Sequence, residues 1–331
     1  LPFKGGKASR WDQAHTTGTR GRRTTCRMKQ LRGYAMVASG AFLWGCAATV
    51  AKLLLARRVD TILLVQTRVT FSVILMVCVL ALFRRDLLRV RVKDLWRMAL
   101  LGVVGIAGAN YTYYVVIREA SVAIAILLQY TAPLFVMAYA AFTHEEELTG
   151  AKFVAALLAL AGCYCAVGGF EAASGLPGGA LAIGIFGAMC FAFMTVFTRH
   201  LLSRYSIWTV MLYGFGFASV FWLLVNPPWR VMEESPSPAT WLALVGLALL
   251  SVLLPYMLFF AGLRHVVSSR AIIISTLEPV TAIATAALVA GETLSLLQGA
   301  GAGLVLGAIL MLQVRREKRG EEIEEEPHAS R

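Results

Sequence analysis

Apolar residues fill long stretches of this 331-residue chain, and charged residues gather in the short gaps between them. Each stretch holds about 20 residues, enough for a helix that crosses roughly 30 Å of hydrocarbon at about 1.5 Å per residue. The pattern predicts an all-α integral membrane protein with ten transmembrane helices, near residues 33–56, 61–83, 97–117, 121–142, 150–169, 179–198, 207–225, 240–262, 268–290 and 297–314.

The composition agrees with this pattern. With 58% hydrophobic and 15% charged residues, the chain has too few polar side chains to cover the surface of a soluble domain of this length. The gaps between the apolar stretches are also too short to hold an extramembrane catalytic domain. A membrane-embedded helical bundle is therefore the predicted class.

The hydrophobic pattern occurs twice along the chain. Residues 113–148 align without gaps with residues 259–294. Each repeat has five helices, which is an odd number, so the second copy begins on the opposite side of the membrane and inserts upside down relative to the first. Such inverted pairs are typical of secondary transporters. The sequence thus predicts two inverted five-helix repeats. The recurring identities are Arg118, Ala125, Ile126, Pro133, Ala138, Ala140, Ala141, Glu146 and Leu148 in the first copy.

The repeats set the expected domain boundaries. The first repeat covers residues 33–169, the linker 170–178 and the second repeat 179–314. Residues 1–32 form a basic N-terminal tail, and residues 315–331 form a charged cytoplasmic tail. Residues 1–27 begin with Leu and lack apolar periodicity. They are interpreted either as a disordered tail or as a mis-assigned, non-native extension, and the second interpretation is preferred.

The net charge of +12 is unevenly distributed over the predicted bundle. From Lys29 onward, seventeen basic residues fall in loops on the side of the two termini and four on the other side, which places both termini in the cytoplasm. The basicity therefore reflects topology rather than a nucleic-acid partner. A multi-pass protein of a bacterial inner (plasma) membrane is favoured. The four residues are Arg57, Arg58, Arg118 and Arg230.

Two charged residues lie deep inside predicted helices. Arg68 is about 12 Å and Glu278 about 15 Å from the nearest membrane surface, given the helical rise. A charge at this depth costs roughly 2.5–3.5 kcal/mol, so each needs a partner or water. A cavity-lining pair, or separate contacts to a substrate, would explain both. The alternative is a buried structural ion pair with no role in binding.

Prolines interrupt two predicted helices at equivalent positions. Pro133 and Pro279 each remove a hydrogen bond to the carbonyl four residues earlier, which belongs to Gln129 and Ser275 respectively. Unpaired backbone at this depth is tolerated only where protein or a watery cavity satisfies it. The two helices therefore offer polar groups near the midplane, unless a neighbouring helix simply satisfies each kink.

Further polar and aromatic residues are candidates for the same site. Asn110, Tyr113 and Tyr114 share one helix face at positions i, i+3 and i+4. The tyrosines are explained equally well by the aromatic belt at the membrane surface. Trp44 lies at midplane depth and either walls a cavity or packs in the core.

Signatures of other functions are missing from the sequence. Mid-helix histidines, a Gly-rich phosphate loop and a clustered nucleophile and base are all absent, and the six cysteines fit no metal pattern. No enzyme activity, cofactor or metal is therefore expected. Gly299, Gly303 and Gly307 form a smooth stripe suited to helix packing within the bundle or between protomers, so a homodimer is a candidate assembly.

These residues together resemble the drug/metabolite transporter superfamily, specifically its EamA-type ten-helix transporters, over about residues 30–314. The resemblance includes Trp44-Gly45, Arg68, Asn110, Tyr113-Tyr114, Tyr130-x-x-Pro133 with Glu146, Glu278-Pro279 and Gly291-Glu292. It implies two EamA repeats around a central cavity that opens alternately to either side. It also implies export of small metabolites such as amino acids, or of toxic compounds. One departure is that Phe191 replaces Trp44 in the second repeat.

The sequence therefore favours a secondary active transporter that exports small metabolites by alternating access. The expected partners are a small-molecule substrate, the lipid bilayer and a proton as coupling ion. Export of drugs or cationic solutes is the nearest alternative, and an intramembrane lipid-modifying enzyme is a distant one. The candidate substrate-binding residues are Trp44, Arg68, Asn110, Tyr113, Tyr114, Gln129, Tyr130, Ser275 and Glu278, with helix kinks at Pro133 and Pro279.

Overall fold

In the computed structural model, all secondary-structure elements of the described residues are helices. The structure describes residues 10–56, 59–120, 122–144, 149–168, 177–233, 237–290 and 295–325. The helices are α1 (Arg10–Ala56), α2 (Thr61–Phe83), α3 (Leu95–Leu100), α4 (Ala109–Glu119), α5 (Val122–Gln129), α6 (Ala132–Thr143), α7 (Gly150–Ala166), α8 (Gly178–Leu202), α9 (Ile207–Val225), α10 (Pro228–Glu233), α11 (Pro238–Ala248), α12 (Leu254–Leu263), α13 (Ser268–Ser275), α14 (Leu277–Ala290) and α15 (Leu296–Glu325).

The apolar stretches of the sequence all coincide with helices. Within the described residues, eight helical stretches are long and apolar enough to cross a membrane, and Gly150–Ala166 and Leu296–Leu312 are shorter apolar helices. The molecule is therefore an all-helical, multi-pass membrane protein. Because two of the stretches are short, the count of ten membrane-crossing helices stays a prediction.

Helices α1 and α15 extend beyond the predicted membrane segments. Helix α1 begins at Arg10 and α15 continues to Glu325, so both run into segments that the sequence assigns to tails. The physical reason is that lengthening a helix adds one hydrogen bond per residue without a new nucleation step.

The internal duplication is visible in the helix boundaries. With residue 113 aligned to residue 259, a shift of 146, helices α5 and α13 both begin and end at equivalent positions. Helix α4 matches α12, and α6 matches α14, within a residue or two. A π-helical turn precedes α4 at Leu101–Gly108, and another precedes α12 at Leu249–Leu253. The two halves therefore share even their irregular turns.

The helix contacts follow the same pairing. Helix α1 packs on α12 and α14, while its counterpart α8 packs on α4 and α6. Helix α2 contacts its own counterpart α9, and α7 contacts α15. Reciprocal contacts of this kind are what an approximate two-fold relation between the halves produces.

Both proline-containing helices are broken rather than gently bent. Helix α5 ends at Gln129 and α6 begins at Ala132, while α13 ends at Ser275 and α14 begins at Leu277. Pro133 lies in the first turn of α6, where its missing N–H costs no helical hydrogen bond. The breaks place irregular backbone near the middle of the bundle.

One end of the bundle, here called the terminal face, is tied together by hydrogen bonds. It contains the 84–94, 203–206 and 264–267 segments. The Tyr205 hydroxyl donates to Asp94 Oδ2 at 2.6 Å, and Arg264 donates to the Tyr205 carbonyl at 3.0 Å. Burial, and then the bond to Asp94, raise the pKa of the Tyr205 hydroxyl, so it stays a donor at neutral pH. On the same face, Arg270 donates to the Tyr34 hydroxyl at 2.7 Å.

The contact between α7 and α15 depends on glycine. A Cβ at Gly301 would lie 2.5 Å from the Ala166 nitrogen and 2.6 Å from the Gly162 carbonyl oxygen. By contrast, a Cβ at Gly299, Gly303 or Gly307 would meet no atom of the described chain within 4 Å. The smooth stripe therefore faces out of the bundle, and a homodimer through it stays a prediction.

We predict that Gly301→Val destabilises the bundle, whereas Gly303→Val does not. Both changes carry the same cost in helix propensity, but only the first forces a side chain into backbone of α7. Overpacking of this kind costs about 1–3 kcal/mol. Thermal unfolding of the two variants in detergent is the measurement, and equal melting temperatures would contradict the assigned face of α15.

Candidate functional site

A cavity of about 660 Å³ lies in the middle of the bundle. Helices of both halves line it, among them α1, α2, α4, α5 and α14. Ser275 and Pro133 are buried beneath its surface rather than exposed in it. The candidate residues that line it are Trp44, Arg68, Asn110, Tyr113, Tyr114, Gln129, Tyr130, Glu278 and Pro279.

Arg68 is held against the cavity by neutral groups. Its Nη2 donates to Asn110 Oδ1 at 2.7 Å, and its guanidinium carbon lies 5.6 Å from the Tyr114 ring centroid. Asn110 Nδ2 in turn donates to the Ile106 carbonyl at 2.7 Å, inside the π-helical turn before α4. The buried Arg68 Nε has no hydrogen-bond partner within the described part of the chain. The guanidinium is therefore oriented by Asn110, with one buried N–H left unpaired.

Glu278 is held by a tyrosine from the other broken helix. The Tyr130 hydroxyl lies 2.6 Å from Glu278 Oε2 and 3.0 Å from the Ser275 carbonyl oxygen. That carbonyl is the one that the break before Pro279 leaves without its usual helical partner. Tyr130, which lies in the break between α5 and α6, thus hydrogen-bonds to residues on both sides of the break between α13 and α14.

Arg68 and Glu278 line the same cavity without forming an ion pair with each other. Within the described residues, no Arg68 nitrogen lies within 4.0 Å of a Glu278 oxygen; Asn110 is the hydrogen-bond partner of Arg68, and Tyr130 that of Glu278. This arrangement counts against the alternative of a structural ion pair. It leaves two opposite charges that a ligand in the cavity is able to reach.

Trp44 forms part of the cavity wall from α1. Its Nε1 donates to the Ser251 carbonyl at 3.1 Å, within the second π-helical turn. Its ring packs edge-on against Tyr256, with ring centroids 4.8 Å apart. The indole therefore fixes a backbone group of the second half as well as shaping the cavity.

Gly45 allows α1 to approach α14 at the level of Glu278. A Cβ at this position would overlap the Thr281 Oγ1 atom and lie 2.7 Å from the Glu278 carbonyl oxygen. Because no other residue type lacks a Cβ, the Trp44-Gly45 pair combines a cavity wall with a close approach of the two helices.

Tyr256 is a cavity residue that the sequence interpretation missed. It lines the cavity, and its ring centroid is 4.8 Å from those of both Trp44 and Phe215. A signal was present, because the 146-residue shift carries Asn110 onto Tyr256. Thr49 is a second missed residue, and its hydroxyl lies 2.6 Å from that of Thr285.

The cavity extends away from the terminal face. Its lining includes Ala51 of α1, Ile117 of α4 and Gln298 of α15, all near the helix ends on the other side of the bundle. The described lining of the cavity therefore reaches towards the face opposite the termini.

Some candidate features lie elsewhere. Glu146 and the Gly291-Glu292 pair are outside the described residues. Among the described residues, no group of three or more His, Cys, Asp or Glu side chains is placed to hold a metal ion. The described lining of the cavity offers one guanidinium, one carboxyl group, hydroxyls, amides and aromatic rings.

An all-helical bundle with apolar helices of membrane-spanning length defines a multi-pass membrane protein, and its central cavity is a candidate site for a small molecule. The family follows from the sequence match. The model of the EamA-like transporter family matches residues 31–168 and again residues 178–314. The chain therefore belongs to the EamA-like transporter family and carries two copies of its repeat. Its setting is the lipid bilayer, and its substrate is a small molecule.

Individual relatives support the same assignment. The uncharacterized inner membrane transporter YicL of Salmonella typhimurium is 23% identical over 295 residues, which cover 87% of this chain and 97% of YicL. An uncharacterized transporter of Archaeoglobus fulgidus is 27% identical over 214 residues, 63% of this chain and 75% of its own. The threonine/homoserine exporter RhtA of Escherichia coli is 25% identical over 228 residues, 67% of this chain and 73% of RhtA.

A solved crystal structure shares the fold. Its TM-score is 0.73 at 19% sequence identity, and the match covers 85% of this chain and 96% of that chain. At this identity, the similarity shows the architecture alone.

We predict that the cavity wall is reachable by reagents in water. In a chain whose native cysteines are replaced, Ala282→Cys should react with a membrane-impermeant maleimide, because Ala282 lines the cavity. Ala271→Cys is the matched control, since Ala271 is fully buried away from it and should show little or no labelling. Mass spectrometry of protein in nanodiscs gives the labelled fractions, and equal labelling would contradict the assigned cavity.

Proposed function

We propose that this chain is a secondary active transporter that exports small zwitterionic metabolites, such as amino acids, across a bacterial inner membrane by alternating access. The observation that carries the proposal is the pair of opposite charges, Arg68 and Glu278, which line one cavity and have separate neutral partners. No chemical change of the solute is part of the proposal.

The guanidinium of Arg68 suits a substrate carboxylate. An uncompensated cation near the bilayer midplane is costly, and Asn110 and Tyr114 supply no countercharge. A bound carboxylate would supply it, with the guanidinium edge that faces the cavity as the donor. Threonine and homoserine, the amino acids in the name of RhtA, each carry such a carboxylate.

Glu278 suits either a substrate amine or a coupling proton. The Tyr130 hydroxyl has one hydrogen but two acceptors within reach, Glu278 Oε2 and the Ser275 carbonyl. When Glu278 is ionised, the hydroxyl hydrogen goes to the carboxylate and the carbonyl loses its donor. When Glu278 is protonated, its own O–H donates to Tyr130, and Tyr130 donates to the carbonyl. Protonation would thus change the hydrogen bonding of the backbone at the break before α14.

The positions of the breaks and faces support alternating access. With both termini in the cytoplasm, as the basic loops indicate, the cavity faces outward and the terminal face is closed. Opening the inner side then requires separation of contacts such as Tyr205 with Asp94. The breaks near Tyr130 and Thr276 supply irregular backbone about which helix halves are able to move.

Export of cationic drugs is the second candidate. It is favoured by the aromatic rings of Trp44, Tyr256 and Tyr113 around the cavity, because aromatic faces attract cations. In that case Glu278 would supply the only required charge, and Arg68 would oppose binding.

We predict that Glu278→Gln abolishes proton-coupled transport while leaving the fold intact. The amide oxygen of Gln still accepts from the Tyr130 hydroxyl, but the side chain no longer titrates. The measurement is an untargeted metabolite profile of the medium from cells that overexpress the native protein or the variant at matched membrane abundance. Native protein should enrich one chemical family outside the cell, and the variant should not.

Glu119→Gln is the matched control for this experiment, because Glu119 is an exposed carboxylate paired with Arg118 outside the cavity. It should export as the native protein does. Export by Glu278→Gln at the native level would contradict the proposed coupling role. Loss of folded Glu278→Gln from detergent extracts would instead support a structural role.

We predict that Arg68→Gln separates the two substrate classes. Export of amino acids should fall by at least about tenfold, since a charge-assisted hydrogen bond is worth roughly 1.5–3 kcal/mol. Resistance of cells to cationic drugs should be unchanged or higher if such drugs are the cargo. Transport of a radiolabelled amino acid and a drug-resistance assay on the same cells distinguish the outcomes.

A further inference from the structure

A second cavity of about 620 Å³ lies at the terminal face, apart from the central site. Residues of α6 and α8 form most of its wall, and Trp96, Arg97, Ser203 and Arg204 close it at the membrane surface. We call it the basic groove. None of its lining residues lines the central cavity.

The basic groove is amphipathic along its length. Arg97, His200 and Arg204 lie at its terminal-face end, and Phe193 and Met189 lie at its inner end. From His200 to Met189 along α8 is about 16 Å at 1.5 Å per residue. That length is close to half of the roughly 30 Å hydrocarbon thickness, which is the depth of one leaflet.

The terminal-face end of the basic groove is positively charged. Arg97 donates to Asp94 Oδ1 at 3.0 Å, and the charges of Arg91 and Arg204 also act on this carboxylate. Three arginines therefore surround one aspartate. The exposed Arg204 guanidinium makes no hydrogen bond within the described part of the chain, which leaves it available to a ligand.

The aromatic residues fit the same setting. Trp96 is 59% exposed although its ring is apolar, and the guanidinium carbon of Arg97 lies 5.4 Å from its ring centroid. An exposed indole beside arginine is typical of the headgroup level of a membrane. Phe135 and Phe193 continue the apolar wall below it.

We propose that the basic groove binds one anionic phospholipid of the adjacent leaflet. The phosphate lies at Arg97 and Arg204, and one acyl chain lies along Phe193 and Met189. Charge complementarity selects an anionic headgroup, because basic pockets between membrane helices attract such lipids. The depth of the groove selects a lipid over a free anion, since a phosphate alone leaves the aromatic wall empty. This site does not depend on what the central cavity transports.

Native mass spectrometry of the purified, delipidated full-length protein tests the proposal. The probes are phosphatidylglycerol and phosphatidylcholine with identical acyl chains. Phosphatidylglycerol should form a one-to-one complex at lower concentration than phosphatidylcholine. Arg204→Gln should weaken phosphatidylglycerol binding about fivefold, because one basic residue near a charged membrane contributes about that factor.

Two further variants separate the parts of the site. Arg84→Gln is the matched control, since Arg84 is exposed on the same face, pairs with Asp86 and lies outside the groove. It should bind as the native protein does. Val196→Trp keeps every charge but fills the apolar wall, so it should weaken binding of both lipids.

Four outcomes would overturn the proposal. They are equal binding of the two lipids, equal losses in Arg204→Gln and Arg84→Gln, native binding by Val196→Trp, or displacement of the lipid by millimolar inorganic phosphate. The last result would indicate an anion site without an acyl chain. Native melting temperatures and elution volumes establish that the arginine variants are folded.

Discussion

Backbone carbonyls in hydrocarbon must find a hydrogen-bond donor, and much of the central site follows from that requirement. Near the site, the helices depart from regular α-helix at two π-helical turns and two breaks. At two of these places a side chain supplies the donor: Trp44 to Ser251, and Tyr130 to Ser275. Both of these side chains line the cavity. Residues that repair the backbone are thus the residues that shape the binding site.

The two halves agree in scaffold and differ in charge. The alignment that carries Pro133 onto Pro279 carries Ala132 onto Glu278, and a shift of 147 carries Arg68 onto Phe215. Each half therefore contributes one ionisable group where its counterpart has an apolar residue. Equivalent helices of both halves line the cavity, while the unequal side chains give it a polarity. A symmetric pair of charges would have offered a zwitterion no preferred orientation.

The sequence could predict what depends on solvation cost and covalent geometry. Arg68 and Glu278 stood out because buried charge is expensive, and the breaks before α6 and α14 follow from the prolines. It could not reveal the π-helical turns, because their residues are apolar like any membrane helix. It also could not decide which glycines of α15 face α7, since small residues occur on two sides of that helix. Tyr256 was missed because burying an aromatic residue in a membrane helix costs little solvation free energy, so only the repeat alignment with Asn110 marks it.

The locations of the hydrogen bonds also separate the molecule into parts that are easy and hard to rearrange. The bond from Arg264 to the Tyr205 carbonyl is exposed at the terminal face, where water is able to replace either partner. The bonds from Trp44 to Ser251 and from Tyr130 to Ser275 are buried inside the bundle, so breaking them leaves a carbonyl without a donor. Separating the helix ends at the terminal face therefore costs less free energy per hydrogen bond than separating the two halves at the centre.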